Sequence, residues 1–336
     1  MNSLLNRYAF FIALFIAAML LLPYEWYWKN IEHYAKSHNL ESLDHWADQR
    51  TSVSSLSEED VIILGSSRAH FDINIHLWDS LAGRRPLQLA YPGSSPYHPI
   101  EDIVNNTDFN GLLVIGVAPG LFFTTEDSWG ASRGKAFVDH FHKRTYAQIF
   151  NQQIFYFIDP HFSYIDENLS YRYLIDRLPF KNRDSIRHPD IWPPMVSMDK
   201  YRNIRMTHRM ETDTLLQRRQ KDIWFNPDPQ NRVEEKLDEV MDHYIGLLKK
   251  FKERGGKVAF IRAPVAGYYL EIEPKLFPRK DYWDRLIEEC KCVGYHFQDH
   301  PVTNKMEPPE WSHLSRKQSD IYTKLLVEFL QQDGLI

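Results

Sequence analysis

The chain has 336 residues, of which 43% are hydrophobic and 14% aromatic, so it can build a sizeable core and is not expected to be disordered. Its net charge is −5 at pH 7 and it has no long basic run, which excludes nucleic acid as an expected partner. Cys290 and Cys292 are separated by one residue on a predicted helix, so their side chains point apart and a mutual disulfide is disfavoured.

An uncharged apolar run from Tyr8 to Leu22 lies near the start of the chain. It is followed by the aromatic residues Tyr24, Trp26, Tyr27 and Trp28. The run is close to the lower limit of about 17 residues for a membrane-spanning helix, and such aromatics are typical of the membrane interface. A cleaved signal peptide is the alternative, but bulky aromatics stand where a small-residue cleavage site is needed. A buried helix fits poorly because the run is apolar all round. Residues 1–30 are therefore predicted to be a single-pass anchor, with the amino terminus in the cytoplasm and the remaining chain outside.

Residues 31–59 are polar and mixed, and we interpret them as a stalk. The first strand is predicted at Val61–Leu64, where four consecutive aliphatic residues indicate burial on both faces. The turn Gly65-Ser66-Ser67 follows and leads into a helical pattern at Phe71–Ala82. In open α/β sheets ligands bind at this edge, where a serine can present its hydroxyl and its amide. Ser67 is therefore a candidate nucleophile, although an ordinary turn with a helix-capping serine has the same pattern.

Four further apolar segments complete the predicted sheet: Pro86–Ala90, Leu112–Ile115, Val258–Ile261 and a short strand within Gly294–Asp299. Helical patterns alternate with them, the clearest being Val233–Lys252, Tyr282–Cys290 and Leu314–Leu330. This alternation implies parallel strands joined by right-handed crossovers. We predict a three-layer α/β/α sandwich around a five-stranded parallel sheet. No Walker loop, dinucleotide glycine fingerprint or cluster of metal ligands stands in the sequence, so neither a cofactor nor a metal is expected.

Residues 126–232 interrupt this alternation with a helix predicted from Lys135 to about Phe155 and then an aperiodic stretch rich in Pro, Trp, Tyr and Arg. Such a length inside a compact domain indicates a functional insertion or lid, which we expect to cover the carboxyl edge of the sheet. Its aromatic residues are candidates to line a carbohydrate or lipid surface: Tyr164, Tyr171, Tyr173, Trp192 and Trp224. A self-packed cap with its own small core explains them equally well.

A second group of reactive residues stands directly before the last helix. A serine nucleophile needs a base, and the base needs a partner that fixes its tautomer. Glu310 stands three residues before His313, so its carboxylate can accept from one ring nitrogen while the other faces Ser67 at the same sheet edge. His70 is the alternative base by proximity to the serine, and Asp299 is the alternative carboxylate.

The order of these blocks resembles the SGNH (GDSL-like) hydrolase superfamily over residues 60–336, apart from the insertion. The blocks that carry the resemblance are Gly65-Ser66-Ser67-Arg68, Gly93 after the second strand, and Glu310-x-x-His313. The resemblance implies an SGNH/flavodoxin-like fold in which Ser67 is the nucleophile, His313 the base and Glu310 its orienting partner. It also implies an oxyanion hole formed by the backbone N–H groups of Ser67 and Gly93.

The chain departs from the family pattern in three blocks. Ser66 stands where GDSL members have aspartate, Gln88 stands at the block-two asparagine, and residues 116–119 replace the block-three Gly-x-Asn-Asp. The lost asparagine removes one oxyanion donor, a loss worth roughly 3 kcal/mol of transition-state stabilisation in other enzymes. Arg262 and Arg68 are possible contacts of a substrate group, the alternatives being an ion pair with a neighbouring carboxylate and a solvated side chain.

The Gly-Ser-Ser of block one and the proline of block three are similar to membrane-anchored members that handle acyl groups on bacterial envelope polymers, as in alginate O-acetylation and lipoteichoic acid D-alanylation. We therefore expect an extracytoplasmic serine esterase or O-acyltransferase acting on a cell-envelope or exopolysaccharide glycan. Its expected partners are the acylated glycan or acyl donor, the membrane, and a membrane-bound acyltransferase. The alternative is a catalytically silent SGNH-like protein that binds glycan or scaffolds an envelope assembly.

Overall fold

The computed structural model describes residues 2–30, 41–166, 169, 171–176, 194–225 and 236–336. Its strands are β1 (Val61–Leu64), β2 (Leu87–Gln88), β3 (Leu112–Gly116), β4 (Val196–Met198), β5 (Ile204–Met206), β6 (Lys257–Arg262) and β7 (Val293–His296). Its α-helices are α1 (Asn2–Asn30), α2 (Leu43–Thr51), α3 (Ser67–Phe71), α4 (Ile75–Ala82), α5 (Tyr97–Asn106), α6 (Pro119–Phe122), α7 (Trp129–Lys143), α8 (Tyr146–Ile158), α9 (Tyr171–Asp176), α10 (His208–Thr212), α11 (Thr214–Trp224), α12 (Leu237–Glu253), α13 (Gly267–Leu276), α14 (Arg285–Cys290) and α15 (Arg316–Gln332). Short 3-10 helices lie at Ser52–Ser55, Ser163–Ile165, Phe297–Asp299 and Thr303–Lys305, and a π-helical turn lies at Lys280–Asp284.

Five strands form one parallel sheet in the order β2-β1-β3-β6-β7. The register pairs Ile63 of β1 with Val114 of β3, and Val114 with Ala259 of β6. β1 and β3 consist of aliphatic residues and one glycine, all of them buried, as is typical of the central strands of a parallel sheet. The predicted five-stranded parallel sheet is confirmed, with β2 reduced to two residues and β7 beginning one residue earlier than expected.

Alternate residues of the strands enter two hydrophobic clusters on the two faces of the sheet, since successive side chains of a strand point to opposite sides. Ile62 and Phe260 belong to the first cluster, together with side chains of α2, α5 and α12. Ile63 and Ile261 belong to the second, together with side chains of α4 and α15. The two clusters fix the helices around the sheet and leave its carboxyl edge to the loops.

The segment predicted as a stalk is part of the domain wherever the structure describes it. α2 places the side chain of Trp46 in the first hydrophobic cluster, where its indole Nε1 donates a hydrogen bond to the Leu89 carbonyl at 2.9 Å. The prediction of a stalk over residues 31–59 is therefore wrong from residue 41 onward. The polar composition of the segment led to the wrong prediction, because a single buried aromatic residue, Trp46, attaches α2 to the end of β2. Residues 31–40 lie outside the described part of the chain.

The single helix predicted from Lys135 to about Phe155 is in fact two helices, α7 and α8. Thr145 separates them, because its hydroxyl accepts from the Gln148 N–H at 3.3 Å while the Gln148 side chain accepts from the Thr145 N–H at 2.8 Å. This reciprocal arrangement begins a new helix at Tyr146. The hydrophobic periodicity continues through the junction, which explains the wrong prediction.

The stretch predicted as aperiodic contains a hairpin of β4 and β5, followed by α10 and α11. Arg202 in the hairpin turn is fully buried and donates to the carbonyls of Gln88 and Ala90 at 2.7 and 2.9 Å. The hairpin is thereby attached beside the carboxyl end of β2. Of the aromatics assigned to this segment, Trp192 and the side chain of Tyr173 lie outside the described residues.

Within α1, residues Tyr8–Asn30 are long and apolar enough to cross a membrane. The carboxylate of Glu25, in the last turns of α1, accepts hydrogen bonds from the backbone N–H groups of Ser163 and Tyr164 at 2.8 and 2.9 Å. The carboxyl end of α1 is therefore attached to the insertion.

Candidate functional site

The strand order reverses between β1 and β3, so a crevice lies outside the carboxyl ends of these two strands. β1 leads into this crevice through Gly65, whose φ is +141°. A Cβ on Gly65 would lie 2.9 Å from the Cβ of Ala69, so a larger residue would displace the turn. Ser67 follows as the first residue of α3, with its side chain partly exposed at the edge of the sheet. Ser66, at the N-cap, makes no side-chain capping bond, so the capping alternative is not realised by that serine.

A cavity of about 330 Å³ opens at this edge. Ser67, Gly93 and His313 line it from three separate segments of the chain, and Met195 and Trp224 of the insertion line it as well. Part of the insertion therefore lies at the carboxyl edge of the sheet, where the sequence predicted it.

The Glu310 carboxylate and the His313 ring are in direct contact. Glu310 Oε1 accepts from His313 Nδ1 at 2.9 Å, and the side chains are 0% and 1% exposed. The indole N–H of Trp224 donates to the other carboxylate oxygen. The turn between Glu310 and His313 contains Trp311, whose φ of +79° is uncommon for an aromatic residue. This turn brings the Glu310 carboxylate back to the His313 ring.

These contacts determine the charge of Glu310 and the tautomer of His313. Burial by itself raises the pKa of Glu310, but the His313 ring and the hydrogen bonds from His313 and Trp224 outweigh burial and lower that pKa. The carboxylate is therefore ionised at neutral pH and accepts a hydrogen bond from Nδ1, so the tautomer that this contact favours has Nε2 as the acceptor. The Phe71 ring, whose centroid lies 4.4 Å from that of His313, restricts the imidazole further.

The bare nitrogen faces no hydrogen-bond partner. His313 Nε2 is buried, and no atom of the described residues bonds to it, the Ser67 hydroxyl included. Ser67 and His313 nevertheless line the same cavity. Hydrogen bonds between a catalytic base and its nucleophile are often long without substrate and shorten when it binds. The arrangement can thus accept a proton from a group that enters between them.

The two alternatives from the sequence occupy other environments. The His70 ring is fully buried and its Nε2 bonds to the Arg202 carbonyl at 2.9 Å, while burial lowers the pKa of His70 well below its usual range. Asp299 forms a two-pronged ion pair with Arg279 at 2.6 and 2.8 Å. Neither residue lines the cavity, so the structure pairs His313 with Glu310 and not with Asp299.

Both candidate arginines bind one carboxylate, Glu273 of α13. Arg68 Nη2 lies 2.9 Å from Glu273 Oε1, and Arg262 donates to Oε2. Burial lowers the pKa of Arg262 to about 10, although the charge of Glu273 opposes that effect. Arg68 is buried and lines the cavity, so the solvated alternative is wrong, whereas Arg262 lines a smaller adjoining pocket.

Gly93 lies in the turn after β2 with a φ of +66°, and a Cβ there would lie 3.2 Å from the Trp129 ring. Its backbone therefore forms the cavity wall directly. Ala118 and Gly120 line the wall after β3, where the family pattern has an asparagine side chain. Neither residue has a side chain that can donate a hydrogen bond. This part of the cavity wall therefore lacks the side-chain amide that the asparagine would supply to an oxyanion.

Sequence reasoning missed two buried acids, Glu273 and Asp72. Asp72 Oδ1 accepts from the Leu314 N–H at 2.8 Å and so attaches α3 to the residue after His313. Its Oδ2 has no partner among the described residues, and burial raises the pKa of Asp72 well above its usual range. No local pattern marks either residue, because their partners lie on distant segments of the chain.

We expect Asp72→Asn to raise the free energy of unfolding at neutral pH by on the order of 1 kcal/mol. A carboxyl group with a raised folded-state pKa stabilises the fold below its unfolded pKa of about 4, and that contribution is lost as the pH rises through the folded value. The amide keeps the acceptor for Leu314 and does not titrate. Chemical denaturation of the detergent-solubilised chain at about pH 5 and about pH 7.5 measures the gain, which should be larger at the higher pH. An equal gain at both values contradicts the assignment.

Comparison of the chain with protein-family models and with curated proteins finds no match.

Proposed function

We propose that this chain is a membrane-anchored serine esterase or O-acyltransferase of the SGNH type. One observation carries the proposal: His313, which is paired with Glu310 through Nδ1 and has no partner at Nε2 among the described residues, lines the same cavity as the partly exposed Ser67. The parallel sheet, with a hydrophobic cluster on each face, supports a three-layer α/β/α sandwich of this type. The order of serine, glycine, carboxylate and histidine along the chain supports the same family.

In the proposed reaction Ser67 Oγ attacks the carbonyl carbon of an acyl ester and its proton passes to His313 Nε2. Glu310 stabilises the imidazolium through Nδ1, and the backbone N–H groups of Ser67 and Gly93 are the candidate donors to the oxyanion. Collapse of the intermediate breaks the ester bond, and the departing alcohol takes the proton from Nε2. Water or an acceptor hydroxyl then gives its proton to Nε2 and attacks the acyl group, which releases an acid or a new ester and restores the serine.

The walls of the cavity favour a glycan as the carrier of the acyl group. Four aromatic side chains line it: Trp129, Trp224, Tyr268 and Tyr269. The indole N–H of Trp224 is bound to Glu310, but the faces of such rings suit packing against the apolar face of a sugar. The apolar α1 supports attachment to the membrane, and we place the amino terminus in the cytoplasm and the domain outside. A membrane-bound acyltransferase that supplies acyl groups is the partner consistent with this placement.

A fluorophosphonate probe tests the proposal on the full chain in detergent. We expect one covalent adduct by intact mass, mapped to Ser67 by peptide analysis, and no adduct after heat denaturation, because the reaction requires the arranged base. Ser66→Ala serves as the matched control and should label like the parent. A folded chain that takes no adduct, or takes it on another residue, refutes the proposed nucleophile.

The second candidate is a catalytically silent glycan-binding protein. The cavity wall after β3 favours it, since Ala118 and Gly120 supply no side-chain donor to an oxyanion. This candidate predicts that an acetylated oligosaccharide binds with the same affinity to the parent chain and to Ser67→Ala, with no ester cleaved by either. Calorimetry together with acetate release separates the two candidates.

A further inference from the structure

α8 carries an apolar face that the rest of the described protein leaves uncovered. This face consists of Tyr146, Phe150, Ile154 and Phe157, whose exposed fractions are 91%, 68%, 40% and 72%. Their spacing of four, four and three residues places them on one side of the helix. Contiguous large apolar side chains of this kind mark an interaction surface rather than ordinary scatter.

The composition of α8 restricts what can cover this face. The helix contains no charged residue from Tyr146 to Ile158. The two basic residues before it are engaged within the protein, Lys143 with Asp139 and Arg144 with the Thr51 hydroxyl. Another side of the helix attaches to α2, where Tyr156 Oη donates to the Asp48 carboxylate at 2.9 Å. A helix with an exposed apolar face and uncharged polar residues on its other sides has the properties of an element that lies in the interface of a bilayer.

The end of this face is attached to the membrane-spanning helix. The Phe157 ring lies 5.5 Å from the His161 ring, and the carbonyl of His161 accepts a hydrogen bond from the Lys29 ammonium of α1. Lys29 also lies 5.8 Å from the centre of the Phe162 ring. The carboxyl end of α8 is therefore held within a few residues of the point where α1 leaves the apolar zone.

A second contact reaches into the apolar run of α1 itself. Tyr171 Oη donates to the Leu20 carbonyl at 3.2 Å, and its ring lies 4.8 Å from that of Tyr24. Leu20 belongs to the uncharged part of α1 that would occupy the membrane. The insertion thus contacts the last part of the apolar run of α1 as well as the aromatic residues that follow it.

We infer that the apolar face of α8 lies against the bilayer surface as a second membrane contact beside α1. This contact would hold α1 and the domain at one tilt relative to the bilayer, which a single spanning helix leaves free to vary. The inference depends on α1 and the insertion and is independent of the proposed chemistry.

Photo-crosslinking of the full chain in vesicles tests this inference. Benzoylphenylalanine replaces Phe150 or Phe157, and the protein is reconstituted in equal parts of phosphatidylethanolamine and phosphatidylglycerol. After irradiation, intact mass should show addition of one phospholipid at both positions, at least about tenfold more often than for the same replacement of Lys324. Lys324 is 63% exposed on α15, which packs on the other face of the sheet, and so provides a solvent-side control.

Two further measurements keep the result decisive. Replacement of Phe11, which is 64% exposed on α1, must give lipid adducts and so proves insertion of the anchor. Irradiation of the two α8 variants in native membranes should again give lipid adducts. Adducts in vesicles no more frequent than at Lys324 overturn the inference, and so does a protein adduct as the main product in native membranes, since a membrane protein then covers the face.

Discussion

Ser67→Ala should reduce the rate of acyl-ester cleavage by about 10⁴-fold, and His313→Ala should reduce it by a similar factor. The first change removes the proposed attacking oxygen, and the second removes the proposed base, which lines the same cavity as Ser67. Because the two residues act as a unit, the double variant should be no slower than either single variant. Release of 4-nitrophenol from 4-nitrophenyl acetate by the detergent-solubilised full chain measures all three.

Ser66→Ala is the matched control for this series. The Ser66 hydroxyl is buried and has no partner among the described residues, so its removal costs no hydrogen bond. We expect this variant to keep the parent rate within about threefold. If Ser67→Ala keeps its rate while circular dichroism shows an unchanged fold, Ser67 is not the nucleophile and the hydrolysis has another origin.

Glu310→Gln should reduce the same rate by about 10²- to 10⁴-fold and leave a measurable residue of activity. The parent carboxylate accepts hydrogen bonds from the His313 ring, the His313 backbone and Trp224. A glutamine must place its NH₂ toward one of these donors or donate to Nδ1. Donation to Nδ1 favours the tautomer that carries its proton on Nε2, which can no longer accept one from Ser67.

Asp299→Asn distinguishes between Glu310 and Asp299, the two carboxylates that the sequence offered as partners of His313. Asp299 is bound to Arg279 and lies outside the cavity wall, so we expect its variant to retain the parent rate within about threefold. Both variants are compared by kcat and by thermal unfolding, so that a loss of fold is distinguished from a loss of orientation. An active Glu310→Gln beside an inactive but folded Asp299→Asn would reverse the assignment of the orienting residue.

The parts of the fold that depend on short-range patterns could be predicted from the sequence. Continuous aliphatic runs predicted β1, β3 and β6, and burial on both faces explains why those runs are so clear. The spacing of Glu310 and His313 likewise predicted a contact that a three-residue turn can close. These features require only information carried by neighbouring residues.

The parts that depend on distant contacts could not be predicted. Trp46 lies in a polar segment, and its burial depends on distant side chains of the first hydrophobic cluster and on an acceptor for its indole at the end of β2. Glu273 gives no local signal, since Arg68 and Arg262 come from the ends of two different strands. The hairpin that carries Arg202 is likewise held by main-chain carbonyls of β2, which no composition reveals.

Trp224 has two roles at once, as a wall of the cavity and as a donor to the carboxylate behind His313. Displacement of this indole by an entering ligand would withdraw one of the hydrogen bonds that lower the pKa of Glu310. The space in the cavity and the charge of the acid behind His313 are thus linked through one side chain.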